Sequence, residues 1–342
     1  MADRRLPDLN SSDRIPFAST GIRSLNRFNQ RQSSPNPTPI MTRAILLLSL
    51  FLGTGLTAKS RGEEIRHRFL CCDYNGDQVC LVSADGTIEW KTEAKHPQDC
   101  WLLPNGNILF AHLNGAREMT LTKDIVWEYK ASVPGVECQA AQPLPNGNVL
   151  VVECGTSRLI EVDRAGHIAK EIPLVTKPEI KPHNQFRGAR KLPNGHYAVA
   201  YKGEGKAVEL DGEGKVVREQ PVPGDPHEMI VLKNGNWLIT CGDGHQVVEI
   251  DPAGKVVWSV QENDLPGNPL RLMAGAQRLP NGNTLLCNYL GHGHIGENPM
   301  VYEVTQDKKL VWSFADHAQF KTVNQIQILD TPVDVIHGEI YR

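Results

Sequence analysis

The sequence lacks an excess of basic residues, a long apolar run and the short motifs by which many catalytic sites are recognised. Its 36 Lys and Arg face 39 Asp and Glu, a formal net charge of −3, which argues against general binding to nucleic acid. Residues 44–56, the most apolar stretch, are too few to span a bilayer comfortably as a helix. There is no Gly-x-Ser-x-Gly elbow, no phosphate-binding glycine-rich loop and no His-Glu-x-x-His. No reaction can therefore be assigned from a single motif.

The first 60 residues differ in composition from the remainder. Residues 1–40 are rich in Ser, Pro, Asn and Arg and poor in apolar residues, so we expect a disordered leader or an over-extended reading frame. Residues 41–60 have a basic start, an apolar centre and small residues after it, which is typical of a secretory signal peptide. We favour Met41 as the true start over a disordered tail in front of a signal anchor. The prediction is a secreted or periplasmic domain at 61–342, without a membrane span once the signal is removed.

A recurring phrase, Leu-Pro-Asn-Gly-Asn, organises the rest of the chain. It is intact at 103–107, 144–148 and 279–283, has one change at 192–196 and at 232–236, and a degenerate copy begins at Leu329. Successive leucines are 41, 48, 40, 47 and 50 residues apart. A period in the forties with a turn in each unit is typical of four-stranded propeller blades. Because Asn and Gly tolerate positive φ, we expect a two-residue hairpin turn with positive φ at both.

Each unit divides into four short strands. The first leads into the phrase, the second follows it, the third is an alternating segment, and the fourth follows another turn. The third strands are expected at 78–83, 117–122, 158–163, 206–211, 246–251 and 300–305. The half beginning with the second strand occurs six times, first near 68–90, and the first-strand half also occurs six times, last near 323–329. We predict an all-β, six-bladed β-propeller of four-stranded antiparallel blades, closed by N- and C-terminal strands within one blade.

Tryptophan and cysteine are assigned to packing. One position in the fourth strand carries Trp in four blades, Lys170 in another and Arg218 in the last, and we expect it to pack between blades. The four tryptophans are Trp90, Trp127, Trp258 and Trp312. The 8 Cys are expected mostly as small buried side chains, and no bridge is expected between the adjacent Cys71 and Cys72.

The candidate site follows from counting back from each repeat leucine, because the innermost strands of a propeller line its channel. The residues five positions before the leucine are Gln98, Gln139, Arg187, His227, Ala274 and Asn324. The residues that follow them are Asp99, Ala140, Gly188, Glu228, Gly275 and Gln325. Just before them lie His96, Glu137, His183, Asn184, Asp225 and Arg271. Of the 12 His, seven map to this face, namely His96, His183, His227, His245, His292, His294 and His317, whereas His167 and His196 map to the opposite turns.

Polar residues at this channel mouth suit three chemistries. The candidates for catalysis by transfer of an anionic group are His227, Arg187 and His183, with His as nucleophile or acid–base and Arg holding the anion. Carboxylates and amides could instead hold a hard cation, and several His could hold a transition metal such as zinc. The structural alternative is a wet channel whose polar residues only solvate backbone ends. The predicted ligand-binding set is His96, Gln98, Glu137, Gln139, Asn184, Asp225, Glu228, Arg271, His292, His294 and Asn324.

The chain resembles two groups of propeller proteins. Residues 84–90 and 251–258 are similar to the pyrroloquinoline-quinone (PQQ)-like repeat, Asp-x-x-x-Gly-x-x-x-Trp, and residues 225–228 and 183–184 are similar to the leads into the repeat phrase of the bacterial arylsulfotransferase-like family. The second resemblance implies a catalytic His at His227 and an anion-binding Arg at Arg187. PQQ is not expected as a cofactor, because the quinone enzymes usually have eight blades and a much longer chain. The chain also resembles uncharacterised exported propeller proteins.

The predicted function is an exported propeller that binds a small polar or anionic ligand, or a protein partner, at the His-rich channel mouth. The alternative is an enzyme on the same face. Sulfuryl or other group transfer and metal-assisted hydrolysis, with a divalent metal as cofactor, then rank ahead of PQQ-type oxidation.

Overall fold

The computed structural model describes residues 66–330, 334–337 and 341–342, and the description below is confined to them. They form twenty-four strands and three short 3₁₀ turns, the latter at Pro182–Asn184, Lys202–Glu204 and Glu262–Asp264. None of the helical segments in these ranges has the length and apolar character needed to cross a membrane. The predicted leader (1–40) and signal peptide (41–60) lie outside the described residues.

The strands form six antiparallel sheets of four, one for each predicted blade. Blade 1 contains β1 (Phe69–Asp73), β2 (Gln78–Val82), β3 (Ile88–Glu93) and β24 (Val323–Ile328). Blade 2 contains β4 (Asp99–Leu102), β5 (Ile108–His112), β6 (Gly115–Met119) and β7 (Ile125–Lys130), and blade 3 contains β8 (Glu137–Pro143), β9 (Val149–Cys154), β10 (Arg158–Val162) and β11 (Ile168–Pro173). Blade 4 contains β12 (Ala189–Lys191), β13 (Tyr197–Tyr201), β14 (Lys206–Leu210) and β15 (Val216–Pro221). Blade 5 contains β16 (Glu228–Val231), β17 (Trp237–Thr240), β18 (Gln246–Ile250) and β19 (Val256–Gln261), and blade 6 contains β20 (Leu272–Arg278), β21 (Thr284–Tyr289), β22 (Val301–Val304) and β23 (Leu310–Phe314).

The ring closes through blade 1, as predicted. The last strand, β24, pairs with the first, β1, in a register that places Phe69 opposite Ile328 and Cys71 opposite Ile326. The innermost strands contact one another in the order β24, β4, β8, β12, β16, β20 and back to β24. Closure in this way gives blade 1 the same four strands as the other blades, with β1 paired on both of its edges.

The repeat phrase forms a different turn from the one predicted. In the first copy the Gly106 amide donates to Leu103 O at 2.9 Å and the Leu103 amide donates to Asn107 O at 2.8 Å. Only the glycine has positive φ, 82° at Gly106, whereas Asn105 does not. The turn is therefore a tight turn followed by a left-handed glycine, the three-residue class of hairpin loop, and the expectation of positive φ at both residues is wrong.

The asparagines of the phrase have side-chain roles that explain their recurrence. The Asn105 side-chain oxygen accepts from the Asn107 amide at 3.0 Å, and the same bond recurs in the other four copies. The Asn107 side chain in turn donates to Glu118 on β6 at 2.7 Å. Side-chain to backbone bonds such as that of Asn105 stabilise a turn locally. The bond to a third-strand glutamate recurs in the copies that end at His196, Asn236 and Asn283, so four of the phrases are tied to the third strand of their own blade.

The core lies between the blades. Trp127 Nε1 donates to Asp163 O of the next blade at 2.8 Å, and Trp258 Nε1 donates to Gln306 O of the next blade at 2.9 Å. Arg218, which replaces Trp in blade 4, makes the same kind of bond to Asp251 O. These contacts confirm the predicted packing role of this position. All eight cysteines are buried and free, including Cys71 and Cys72.

Candidate functional site

A cavity of about 180 Å³ lies at one end of the channel, on the face predicted from the repeat. All six residues five positions before the repeat leucines line it: Gln98, Gln139, Arg187, His227, Ala274 and Asn324. Four of the six that follow them, Gly188, Glu228, Gly275 and Gln325, line it too. The close packing at Gly188 and Gly275 leaves no room for a side chain. A Cβ on Gly188 would lie 2.3 Å from a Glu228 oxygen, and one on Gly275 would lie 2.4 Å from a Gln325 oxygen.

Arg187 is the buried cation of this cavity. Its side chain donates through Nη1 to Phe186 O at 2.9 Å and through Nη2 to His183 Nε2 at 3.1 Å, and it also bonds to His183 O. Arg187 is 6% exposed as a residue, and among the described residues no carboxylate lies within ion-pair distance of its guanidinium. Burial lowers the pKa of Arg187, with nearby acidic groups acting in the opposite direction. A guanidinium keeps its charge under such conditions, so Arg187 offers a positive charge that no carboxylate neutralises directly.

His183 is held between Arg187 and a carboxylate. Its Nδ1 lies 2.7 Å from Glu137 Oε2 and its Nε2 lies 3.1 Å from Arg187 Nη2. Because a guanidinium can only donate, Nε2 must accept, and the ring proton therefore sits on Nδ1 and is donated to Glu137. The hydrogen bond from His183 is the main cause that lowers the pKa of Glu137. Glu137 thus acts on the cavity through His183 and is not itself part of its lining.

His227 also lines the cavity, and its ring is neutral. Its side chain is 12% exposed, and Nδ1 lies 2.9 Å from Asp225 O, a carbonyl that can only accept. Burial, followed by repulsion from Arg187, lowers the pKa of His227 to about 3. The proton is on Nδ1 and Nε2 carries a lone pair. His227 Nε2 therefore supplies a hydrogen-bond acceptor to the cavity.

A buried charge network lies beneath the cavity. Arg190 Nη1 lies 2.8 Å from Asp99 Oδ2, and its Nη2 lies 3.3 Å from Glu228 Oε2. Arg342 Nη2 lies 3.3 Å from Asp99 Oδ1, and the Arg342 carbonyl accepts from Arg190 Nε at 2.9 Å. All four side chains are buried. Burial is the main cause that raises the pKa of Glu228. Glu228 belongs both to this network and to the lining of the cavity, so the network forms the floor of the site.

Four lining residues, Tyr74, Lys202, Leu272 and Tyr289, were not predicted from the sequence. Tyr74, Lys202 and Tyr289 lie at the ends of β1, β13 and β21, the second strands of their blades. Tyr74 and Tyr289 meet edge to face with ring centroids 5.9 Å apart. The signal was available, since loops joining second and third strands share this face in a propeller. The tyrosines, with Leu272 and Ala274, give the cavity an apolar side.

Several predicted site residues do not line the cavity. His96 stacks on Tyr74 with ring centroids 4.4 Å apart, and Asp225 pairs with Lys202 at 2.8 Å, so both support lining residues. Arg271 donates to Asn268 O at 2.8 Å, and His294 pairs with Glu297 at 2.7 Å. Of the remaining predicted residues, Asn184 and His292 do line it.

In the part of the chain that the structure describes, no three His, Cys, Asp or Glu side chains are grouped so that they could hold a metal ion. The predicted divalent metal stays a prediction.

The fold is a six-bladed β-propeller, and a cavity with many polar lining residues lies at one end of its channel. The model of the Mal s 1 allergenic protein-like family matches residues 81–281, more than half of the chain. The protein belongs to that family.

Several solved structures have a fold similar to that of this chain. A protein of unknown function from Bacteroides caccae is 27% identical, with a TM-score of 0.70, over 78% of this chain and 100% of that one. A streptogramin B lyase is 13% identical, with a TM-score of 0.54, over 80% of this chain and 88% of that one. A chain of a nidogen/laminin complex is 10% identical, with a TM-score of 0.54, over 76% and 97%. The last two likenesses show the fold alone. No curated protein matches the chain. The PQQ-like and arylsulfotransferase-like resemblances are not confirmed by these matches.

Proposed function

We propose that the protein binds a small anionic ligand in the channel-mouth cavity and that Arg187 holds the anionic group. The observation that carries the proposal is a buried guanidinium that lines a cavity and has no carboxylate partner among the described residues. Removing such a charge from water is costly unless it is paired. A bound carboxylate, sulfate or phosphate group would supply the missing charge and accept from the guanidinium in charge-assisted hydrogen bonds.

The surroundings of Arg187 favour binding over acid–base catalysis. With its pKa lowered to about 3, His227 is neutral at pH 7, its one ring proton is held by Asp225 O, and its Nε2 is a weak base. His183 Nε2 is already occupied by Arg187. An enzyme on this face, including the sulfuryl transfer implied by the arylsulfotransferase-like resemblance, would have to free one of these nitrogens, so it remains the second candidate. Export of the protein is likewise a proposal.

The test is calorimetric titration of residues 61–342 with acetate, phosphate and sulfate at constant ionic strength. The Arg187→Gln variant is compared with Arg218→Gln, whose guanidinium also donates to a backbone carbonyl but lies on an outer strand. We expect at least one anion to bind, with affinity reduced about tenfold or more in Arg187→Gln, because a hydrogen bond to a charged group contributes about 1.5–3 kcal/mol. Arg218→Gln should bind normally. Equal affinity in both variants would contradict the proposal.

A further inference from the structure

Three acceptor atoms in the cavity wall have no partner in the structure. Gln139 Oε1, Glu228 Oε1 and Asn324 Oδ1 are buried and accept no hydrogen bond from any described residue. The three residues are 4%, 3% and 7% exposed, and all three line the cavity that Arg187 lines. Buried polar atoms are nearly always hydrogen-bonded in folded proteins. Three acceptors without partners in one cavity therefore indicate that the cavity binds a molecule that donates hydrogen bonds.

The orientation of the two amides is fixed by their nitrogens. Gln139 Nε2 donates to Glu137 Oε2 at 2.9 Å, and Asn324 Nδ2 donates to Pro97 O at 3.1 Å and lies 3.3 Å from Gln98 Oε1. A carboxylate or carbonyl oxygen can only accept, so exchanging nitrogen and oxygen in either amide would set two acceptors against each other. The amide oxygens are therefore the atoms left without partners.

His227 adds a fourth acceptor to the same wall. Its Nδ1 proton is directed to Asp225 O, and no described residue donates to Nε2. A metal ion is disfavoured as the occupant, because Arg187 and Lys202 line the cavity and Arg190 lies beside Glu228. A ligand ammonium group is disfavoured for the same reason. Neutral hydroxyl groups satisfy acceptors without adding positive charge.

We infer that the ligand is a single-ring organic acid that carries hydroxyl groups, its carboxylate on Arg187 and its hydroxyls on Gln139, Glu228, Asn324 and His227. The size of the cavity, about 180 Å³, suits one ring, since an engineered cavity of about 150 Å³ holds benzene. The apolar side formed by Leu272, Ala274 and Tyr289 can take a ring face. This inference rests on the proposed function and adds the class of ligand.

The experiment compares probes that differ in one property. The hydroxy acids glucuronate, galacturonate and quinate are titrated into residues 61–342 beside cyclohexanecarboxylate, which lacks hydroxyls, and methyl glucoside, which lacks the anion. We expect one or more hydroxy acids to bind at least tenfold tighter than either of the other two probes. Calcium chloride is a further probe. Calcium binding that requires Glu228 would overturn the inference in favour of a cation site.

Two variants locate the effect. Glu228→Gln keeps the contacts of Oε2 with Arg190 and with Gln325 at 3.0 Å but sets an amide nitrogen in place of the orphaned oxygen. We expect it to lose the preference for hydroxy acids. Its control is Glu249→Gln in the same blade, a buried glutamate that also pairs with an arginine and a side-chain amide, Arg278 at 2.8 Å and Asn236 at 2.7 Å.

The outcomes separate the inference from the proposed function. If cyclohexanecarboxylate binds as tightly as the hydroxy acids and needs Arg187, the anion site stands and the inference is wrong. If methyl glucoside binds as tightly as the hydroxy acids, the acceptors recognise hydroxyls and the anion site is wrong. If no probe binds with dependence on Arg187, both are wrong. The comparison among probes uses the unmodified chain and does not depend on the folding of a variant.

Discussion

The hydrogen-bond partners of each histidine in the cavity determine whether its ring nitrogens are free to bind a ligand. His183 and His227 lie in the same part of the site, yet one has both nitrogens occupied and the other has a free Nε2. A far-face pair has the same geometry as the first, since His196 Nδ1 lies 2.7 Å from Glu209. A histidine–glutamate pair is therefore a recurrent stabilising contact in this fold, and the approach of Arg187 is what distinguishes His183.

The protonation state of His227 can be measured directly. Because burial and the Arg187 charge lower the pKa of His227 to about 3, its Cε1–H resonance should not titrate between pH 5 and 8. The measurement is a pH series of proton–carbon NMR spectra, with the resonance assigned by its loss in His227→Gln. A midpoint near 6.5 would show that the ring is accessible to protons and that the cavity holds an imidazolium.

The sequence predicts cavity residues by position but not by chemical state. Counting five back from each leucine identified six lining residues because the phrase fixes the register of every inner strand. It could not reveal that Asp225 O takes the His227 proton or that Arg187 meets His183, since those contacts depend on loop conformation. Arg271 and His294 were predicted in the site but do not line the cavity, for the same reason: the side chain of each bonds to a residue of its own loop.

At the scale of elements, the blades depend on the conformation of their turns. Five of the six third strands end one residue before the predicted limit, as at Ile250, whereas β6 ends three residues before it, at Met119. At Ile250 the next residue caps the following turn, since Asp251 Oδ1 accepts from the amides of Ala253 and Lys255, both at 2.9 Å. The alternating pattern predicted the strand, but it could not distinguish a residue that pairs with the neighbouring strand from one whose side chain caps the next turn. The same limit explains why the Asn-Gly turn was assigned to the wrong class.

The left-handed glycine of the phrase should have a measurable energetic role. Gly106 has φ 82°, and a Cβ there would meet nothing within 4 Å, so Gly106→Ala tests conformation without a clash. We expect it to lower the free energy of unfolding by about 1–2 kcal/mol. Gly106→Asn should lower it less, because Asn tolerates this region. Urea denaturation of both variants is the measurement. Equal effects would mean that the turn relaxes into another conformation.

For the whole molecule, the critical feature is closure of the ring. Deleting residues 320–342 removes β24 and exposes the backbone edge of β1, so we expect an insoluble protein. A shorter deletion, 331–342, keeps β24 and removes Arg342 from Asp99. That variant should stay soluble with a lower melting temperature. Soluble expression and a cooperative melting transition of the longer deletion would show that the ring does not need blade 1 to be complete.

His67 joins the two ends of the described chain across this closure. Its Nε2 lies 2.7 Å from Glu303 of blade 6, and its Nδ1 bonds to Asp330, just beyond β24. Burial alone would lower the pKa of His67, but the hydrogen bonds and charges of Glu303 and Asp330 outweigh it, and the pKa is raised above 6.5. Because the ring contacts a carboxylate through each nitrogen, the imidazolium satisfies both.

The closure should therefore weaken as pH rises. A folded-state pKa above the unfolded value means that the contribution of His67 is complete below about pH 6.5 and is lost as pH rises through the raised value. We expect His67→Gln to lower the free energy of unfolding by about 1.5–3 kcal/mol at pH 5.5, and the difference from the unmodified chain to shrink by pH 9. His227 acts with the opposite sign, because its lowered pKa makes the protein less stable as pH falls below 6.5. The effect of His227 is the same in the unmodified chain and in His67→Gln, so it cancels in the difference between their free energies of unfolding. Urea denaturation from pH 5.5 to 9 is the measurement, and a difference that stays constant across the range would show that His67 contributes by packing rather than by charge.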